Sequence, residues 1–277
     1  MAKRAFLVGI NRYRVAGADL RGCVNDVKDL SAALTEFHGF KKSDITVLTD
    51  LAATKKAMQA GIGALLRSSK KGDVALVHYS GHGSHVPDDN KDESDGRDEI
   101  LCPTDLDWDD PLRDDWLRST LDGVRAGVNL TVIMDCCHSG TNTRAVLPPD
   151  APVKERYLPS PSALKAVESG RSVAKKVTSE LRGSSRNARR NDIVNADVPE
   201  VLITGCRDTQ TSADAFINGR YNGALTFSLV QAIRKGRGRL TYRDLHRQAT
   251  AELKKRKFEQ VPQLEGRSPS FDRPLFM

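Results

Sequence analysis

The chain has 277 residues, of which 39% are hydrophobic, 29% charged and 5% aromatic. This is the composition of an ordinary soluble globular protein, which excludes a coiled coil or collagen, and the length suits one large domain or two small ones with a real core. A net charge of +7 raises nucleic acid as a partner, but the longest apolar runs fall far short of the roughly 20 residues that span a bilayer. The apolar stretch after Lys3 and Arg4 runs straight into Asn11 and Arg12, too short for a signal peptide. Five cysteines, odd in number, without CxxC spacing and with Cys136 and Cys137 adjacent, suggest neither a disulfide framework nor a zinc site. A reducing, cytoplasmic setting is expected.

In chain order, Ala5 to Ile10 reads as a buried strand. A helix follows from Asn25, with Val27, Leu30, Ala33, Leu34 and Phe37 on one face and Gly39 past its end. Ile45 to Leu48 is a second strand, and Thr54 caps a helix through Leu66. Val74 to Tyr79 and Leu130 to Met134 are buried strands that end in polar, glycine-bearing turns. Between them, His85 to Asp122 holds 14 acidic residues against 4 basic; from Arg144 to Asp192 there are 11 Lys/Arg against 5 Asp/Glu. Pro148 to Ser162 is rich in proline and serine, and Arg182 to Asn191 has no helical period, so 145–198 reads as a mobile linker or insertion, with Ala163 to Leu181 able to form a short helix. Val201 to Thr204 resumes the strands, and Ala224 to Arg234 and Tyr242 to Lys257 read as helices. No internal repeat is visible. Strands alternating with helices predict an α/β fold of three layers around a mostly parallel sheet, whose site lies beyond the carboxyl ends of the strands.

Two strand ends bring reactive side chains there: Tyr79-Ser80-Gly81-His82-Gly83 and Asp135-Cys136-Cys137-His138-Ser139-Gly140. A cysteine nucleophile needs a histidine that takes its proton or holds it as thiolate, and His82 and Cys137 meet that need. Gly81, Gly83 and Gly140 permit sharp turns and leave backbone N–H groups for an oxyanion. His138 is a weaker base, because neighbours on an extended segment point to opposite faces. The alternative is a strand-end cysteine acting as a small buried hydrophobe beside a satisfied histidine.

On these motifs the chain resembles the metacaspases, caspase-like cysteine peptidases of clan CD, and among them a bacterial-type member. Supporting matches are Gly22-Cys23-Val24-Asn25-Asp26, the run Asp95 to Pro103, the run Gly205 to Asp214, and Val261-Pro262-Gln263-Leu264. The resemblance implies one caspase-like peptidase domain over 1–277. Its large-subunit-like part is 1–144, its basic linker 145–198 and its small-subunit-like part 199–277. It further implies Cys137 as nucleophile, His82 as base, the backbone N–H groups of Gly83 and Cys137 as oxyanion donors, and a thioester intermediate. Asp26, Ser80 and Asp135 fall where metacaspases line the S1 pocket. A desolvated cation needs paired carboxylates, so an acidic pocket selects Arg or Lys at P1, and an Asp-specific one would need arginines. Asp135 as a strand-end turn former and Asp26 as a helix N-terminal charge remain compatible with that role. Asp214 is another carboxylate in a matched motif, without an assigned role.

The linker offers Arg171, Lys175, Lys176, Arg182, Arg186, Arg189 and Arg190 for self-cleavage. With Tyr157 as its only aromatic residue, it is poorly suited to specific nucleic-acid binding. Many metacaspases require calcium, and Asp98, Asp114 and Asp115 fall at the family's calcium-binding positions. Thr141-Asn142-Thr143-Arg144 lacks the further aspartate some members carry. The competing reading is a solvated loop and a helix cap at Asp114. Expected partners are therefore protein or peptide substrates with a basic P1, without a membrane or specific nucleic acid, for a monomeric enzyme. The rivals are a clan CD peptidase of different P1 preference and a silent caspase-like scaffold that acts by binding partners.

Overall fold

The computed structural model describes residues 1–88, 96–137, 152–161, 163–164, 200–207 and 210–277. A six-stranded sheet forms its centre. The strands are β1 (Lys3–Gly9), β2 (Ile45–Thr49), β3 (Val74–Ser80), β7 (Asn129–Asp135), β9 (Glu200–Thr204) and β12 (Gln263–Gly266), in the order β12-β9-β7-β3-β1-β2. Every neighbouring pair is parallel except β9 with β12. Two three-stranded sheets flank it: β4 (Gly83–Pro87), β5 (Arg97–Leu101) and β6 (Leu112–Arg113) in one, β8 (Val153–Glu155), β10 (Ala213–Ile217) and β11 (Arg220–Gly223) in the other.

Alternation along the central strands assigns side chains to the two faces. Ala5 and Leu7 of β1, Val74 and Leu76 of β3 and Val201 and Ile203 of β9 join one core, with α1 (Cys23–His38), α4 (Ala224–Gly236) and α5 (Tyr242–Lys255). Phe6, Val8, Ala75, Val77, Leu130, Val132 and Leu202 join the other, against α2 (Lys55–Ser68) and α3 (Asp114–Asp122). The three layers expected from the sequence are therefore present. α1 ends at Gly39, whose φ of 68° lies in the left-handed region that glycine enters without strain. Thr54 accepts the Ala57 N–H and caps α2. α5 begins with a reciprocal capping box between Thr241 and Asp244. α3 starts one residue earlier than a cap at Asp114 requires: Arg113 is its N-cap and Asp114 its first residue.

Part of the stretch read as a linker is built into the fold. Residues 153–155 form β8, antiparallel to β10, and the chain then runs on to Ser160 against the carboxyl end of the central sheet. A short C-terminal helix, α6 (Ser268–Phe271), completes the described elements. Among the described residues no helix is long and apolar enough to cross a membrane.

Candidate active site

The site forms where β3 and β7 end side by side. Ser80 and Asp135, their last residues, are register partners. Beyond Ser80 the chain turns at Gly81, where a methyl group would press on the hydroxyls of Tyr79 and Tyr13. His82 follows, fixed by its backbone N–H donating to Tyr13 Oη (2.8 Å) and by Nε2 against the Ala18 carbonyl oxygen (2.7 Å). A carbonyl only accepts, so Nε2 carries the proton and Nδ1 is the basic nitrogen. Nδ1 is buried and has no hydrogen-bond partner among the described residues. Burial, above all, lowers His82 to about 4, so the ring is neutral near pH 7.

Two residues past Asp135, Cys137 is fully buried, and burial pushes its thiol well up, helped by nearby Cys206. The Ser212 N–H donates to Sγ. Sγ pairs with the Ser212 backbone while His82 Nδ1 has no hydrogen-bond partner among the described residues, so the two are not hydrogen-bonded to each other here; a neutral thiol and a neutral imidazole suit proton transfer as the sulfur attacks rather than a standing ion pair.

The deepest part of the site is a carboxylate-lined pocket occupied by Arg156, which has no exposed surface. Its Nη2 meets Asp26 Oδ2 at 2.8 Å and Asp214 Oδ1 at 3.1 Å; its Nη1 meets Ser80 Oγ at 2.8 Å and Asp135 Oδ2 at 3.2 Å. Burial alone would lower the guanidinium, but Asp135, Cys23, Asp26 and Asp214 reverse this and raise it well above its ordinary value. The carboxylates are held in turn by donors: Gly223 N–H and Asn222 Nδ2 on Asp26, Thr226 and Ser212 on Asp135, Arg21 and Gly22 N–H on Asp214. Gly223 lines the pocket so closely that a methyl group there would overlap both Asp135 Oδ2 and the guanidinium.

The backbone at Arg156 is held as firmly as its side chain. Its N–H donates to the Ser212 carbonyl (2.9 Å), and its own carbonyl oxygen accepts from Gly83 N–H (3.0 Å) and Cys137 N–H (3.3 Å). Two N–H groups converging on one carbonyl, with the cysteine that supplies one of them alongside, form an arrangement able to stabilise a developing oxyanion.

Relatives match the chain over nearly its whole length. A family profile described as the caspase domain covers residues 2–272. Metacaspase-1B of Neosartorya fischeri is 32% identical over 288 residues, 96% of this chain and 69% of that one. Metacaspase-1B of Aspergillus oryzae is 31% identical over 296 residues, 99% of this chain and 70% of that one. The chain is a metacaspase, a caspase-domain cysteine peptidase. The crystal structure of a protein from Geobacter sulfurreducens shares this fold, with a TM-score of 0.71 at 28% identity, covering 100% of this chain and 99% of that one.

The residues singled out from the metacaspase motifs fall in three places. Asp26, Ser80 and Asp135 surround the Arg156 guanidinium, and Gly83 and Cys137 flank its carbonyl. Asp98, Asp114 and Asp115 lie on β5 and at the start of α3, where Asp98 is ion-paired to Arg113 at 2.8 Å. Among the described residues no three His, Cys, Asp or Glu side chains converge on a cation position. His138, Thr141 to Arg144 and the candidates Arg171, Lys175, Lys176, Arg182, Arg186, Arg189 and Arg190 lie outside the described residues. Sequence reasoning missed Arg156 and the pocket role of Asp214. Arg156 carries no local signal: it is one of several basic residues in a proline- and serine-rich stretch, with Pro152 before it and Pro159 after it.

Proposed function

We propose that this metacaspase is an endopeptidase that cuts after Arg or Lys. Cys137 is the nucleophile, His82 the base, Gly83 and Cys137 N–H the oxyanion donors, and Asp26, Ser80, Asp135 and Asp214 the S1 pocket. The observation that carries this reading is the buried guanidinium held by three carboxylates on the residue whose carbonyl accepts both N–H bonds. An Asp at P1 would bring a fourth negative charge into that pocket, whereas Arg or Lys brings the neutralising one.

Attack proceeds with transfer of the thiol proton to His82 Nδ1, which burial keeps unprotonated. The two N–H groups take the oxyanion, His82 returns the proton to the leaving amine, and water hydrolyses the thioester by the same base. The polypeptide forms one peptidase domain whose 1–144 and 199–277 parts both line the site. The enzyme acts as a cytoplasmic monomer, and its described cysteines, all free, suit a reducing compartment.

Self-processing within 145–198 and activation by calcium belong to this reading. Asp98, Asp114 and Asp115 offer the hard oxygens calcium prefers. The present arrangement, with Arg113 on Asp98, does not form a cation cage, and no catalytic step passes through the ion.

The test is hydrolysis of fluorogenic peptides with Arg, Lys or Asp at P1 by the protein and by Cys137→Ala, in millimolar calcium and in EGTA. The expected result is cleavage after Arg and Lys only, reduced to background in the variant. Preference for Asp at P1 refutes the pocket, and equal rates in EGTA refute calcium activation.

A further inference from the structure

The segment from Val153 to Leu158 lies in the cleft as an extended peptide whose contacts are those a bound substrate needs. On the amino side of Arg156 it adds a strand to β10, with Glu155 opposite Ala213, Lys154 opposite Asp214 and Val153 opposite Ala215. Such strand addition supplies backbone hydrogen bonds whatever the side chains are. On the other side, Leu158 N–H donates to the Gly83 carbonyl (3.0 Å), and Ser84 Oγ donates to the Leu158 carbonyl (2.6 Å). Tyr157 stacks on His85, with ring centroids 5.7 Å apart. Between these anchors sits one peptide group whose carbonyl occupies the two N–H donors.

We propose that Arg156–Tyr157 is the bond this metacaspase cuts in its own chain, and that until it is cut residues 153–158 keep other peptides out of the cleft. The inference rests on the peptidase reading above and deepens it by naming the bond and the latent state. An outside substrate must use the Ser212 carbonyl, the Gly83 and Cys137 N–H groups and the carboxylate pocket, and in the intact chain all of these are taken.

The bond-making balances within the residues described. Cys137 Sγ gives its proton to His82 Nδ1 and bonds to the Arg156 carbonyl carbon. The C–N bond to Tyr157 breaks, and the Tyr157 nitrogen takes the proton from His82. One water then cleaves the thioester, passing one proton through His82 back to Sγ and leaving on Arg156 a carboxylic acid that releases its own proton to solvent. Cys137 and Arg156 are 19 positions apart in one chain, so the first turnover is intramolecular, with the effective concentration that tethering confers.

Intact mass and N-terminal sequencing of the full-length protein over time test the proposal. The expected products end at Arg156 and begin Tyr157-Leu158-Pro159, appear with a rate constant unchanged over about a hundredfold dilution, and are absent from Cys137→Ala. Two variants separate cutting from blocking. Arg156→Gln removes the pocket cation, so it should not be cut there and should hydrolyse an Arg-P1 peptide without a lag. Tyr157→Pro leaves Arg156 in place, and Tyr157 N–H makes no hydrogen bond among the described residues that would be lost. Proline keeps Arg156 extended and crowds the leaving nitrogen, so this variant should stay whole and hydrolyse the peptide at least tenfold more slowly than the cut protein. A protein that hydrolyses the peptide while Arg156–Tyr157 stays intact, or is cut only among 171–190, overturns this proposal alone. So does concentration-dependent cutting, or Tyr157→Pro as fast on the peptide as the cut protein. If neither the chain nor the peptide is cut by any form, including Arg156→Gln, the peptidase reading falls too.

Discussion

Arginine and aspartate meet at both ends of the central sheet, and the two ends treat their charges in opposite ways. At the amino end Arg4 of β1 reaches Asp73, just before β3, at 3.0 Å, with the side chains 33% and 11% exposed. Asp73 also accepts the Ala2 N–H at 2.7 Å and the Lys70 N–H at 3.1 Å. These donors, led by Ala2, hold its carboxyl down at about 2. At the carboxyl end Asp26 is shut away from water, and burial outweighs even Arg156, so that with Asp135 nearby its carboxyl rises to about 7. The first site is a balanced clamp between neighbouring segments. The second holds more buried negative charge than one cation neutralises, which makes it a receptor for cationic side chains rather than a device for stability.

The largest effect that would break this contrast is on specificity. Asp135→Asn puts an amide where Thr226 N–H, Thr226 Oγ and Ser212 Oγ all donate, and removes a pocket charge 3.2 Å from the guanidinium. Breaking one partner of a buried pair costs roughly 3 kcal/mol, about a hundredfold. The expected result is kcat/KM on Arg-P1 peptides about a hundredfold lower. Asp73→Asn should leave that ratio unchanged. Equal losses in the two variants would mean that the pocket carboxylates act only through folding.

A smaller effect sharpens the contrast through pH. Asp26 lies above its ordinary value, so the folded protein retains a proton between about 4 and about 7 that the unfolded chain has lost. Its ionisation therefore weakens the fold as pH rises through that window, and it strengthens cation binding over the same range. Arg156 is the cation that lowers Asp26 in the intact chain, so on Arg156→Gln, where the pocket lacks it, Asp26 should ionise at higher pH than in wild type, and the inhibition constant of argininamide should fall as pH rises above about 7. A flat profile would remove Asp26 from the binding charge.

How legible all this was in the sequence depends on how far each signal extends along the chain. β1, β3 and β7 carry apolar runs, and α1, α2, α4 and α5 each carry a face of four or more buried apolar residues, so local period sufficed for the three layers. The flanking strands were not legible. β8 has three residues and β6 two, too short to show a period, and β8 pairs with a strand that follows it some 58 positions later, Glu155 with Ala213. The same limit applies to the site. Ser80, Gly83, Asp135 and Cys137 stand in glycine-bearing motifs at strand ends, and Asp26 in one at the start of α1, whereas Asp214 reaches the pocket through Gly22 N–H, 192 positions away. Arg156 has neither motif nor period, and the prolines around it argue for a loop; only the cleft gives it meaning.

The smallest effect tests whether the amino-end pair is the clamp it resembles. Asp73 is held below its ordinary value, so its contribution is complete above about 4 and is lost as pH falls towards 2. Replacing it with Asn keeps the shape but weakens three acceptor bonds at a partly exposed site, where such pairs contribute little. At pH 7 the melting temperature should drop by roughly 2–4 °C, the scale on which single contacts act in a chain of this size. At pH 3 wild type has begun to protonate Asp73 and the gap should narrow, whereas Asp135→Asn made in Arg156→Gln should still differ from Arg156→Gln alone in argininamide binding at any pH where the protein is folded. A gap that widens on acidification would mean that Asp73 is held up by burial, as Asp26 is, and the two ends of the sheet would then differ in degree only.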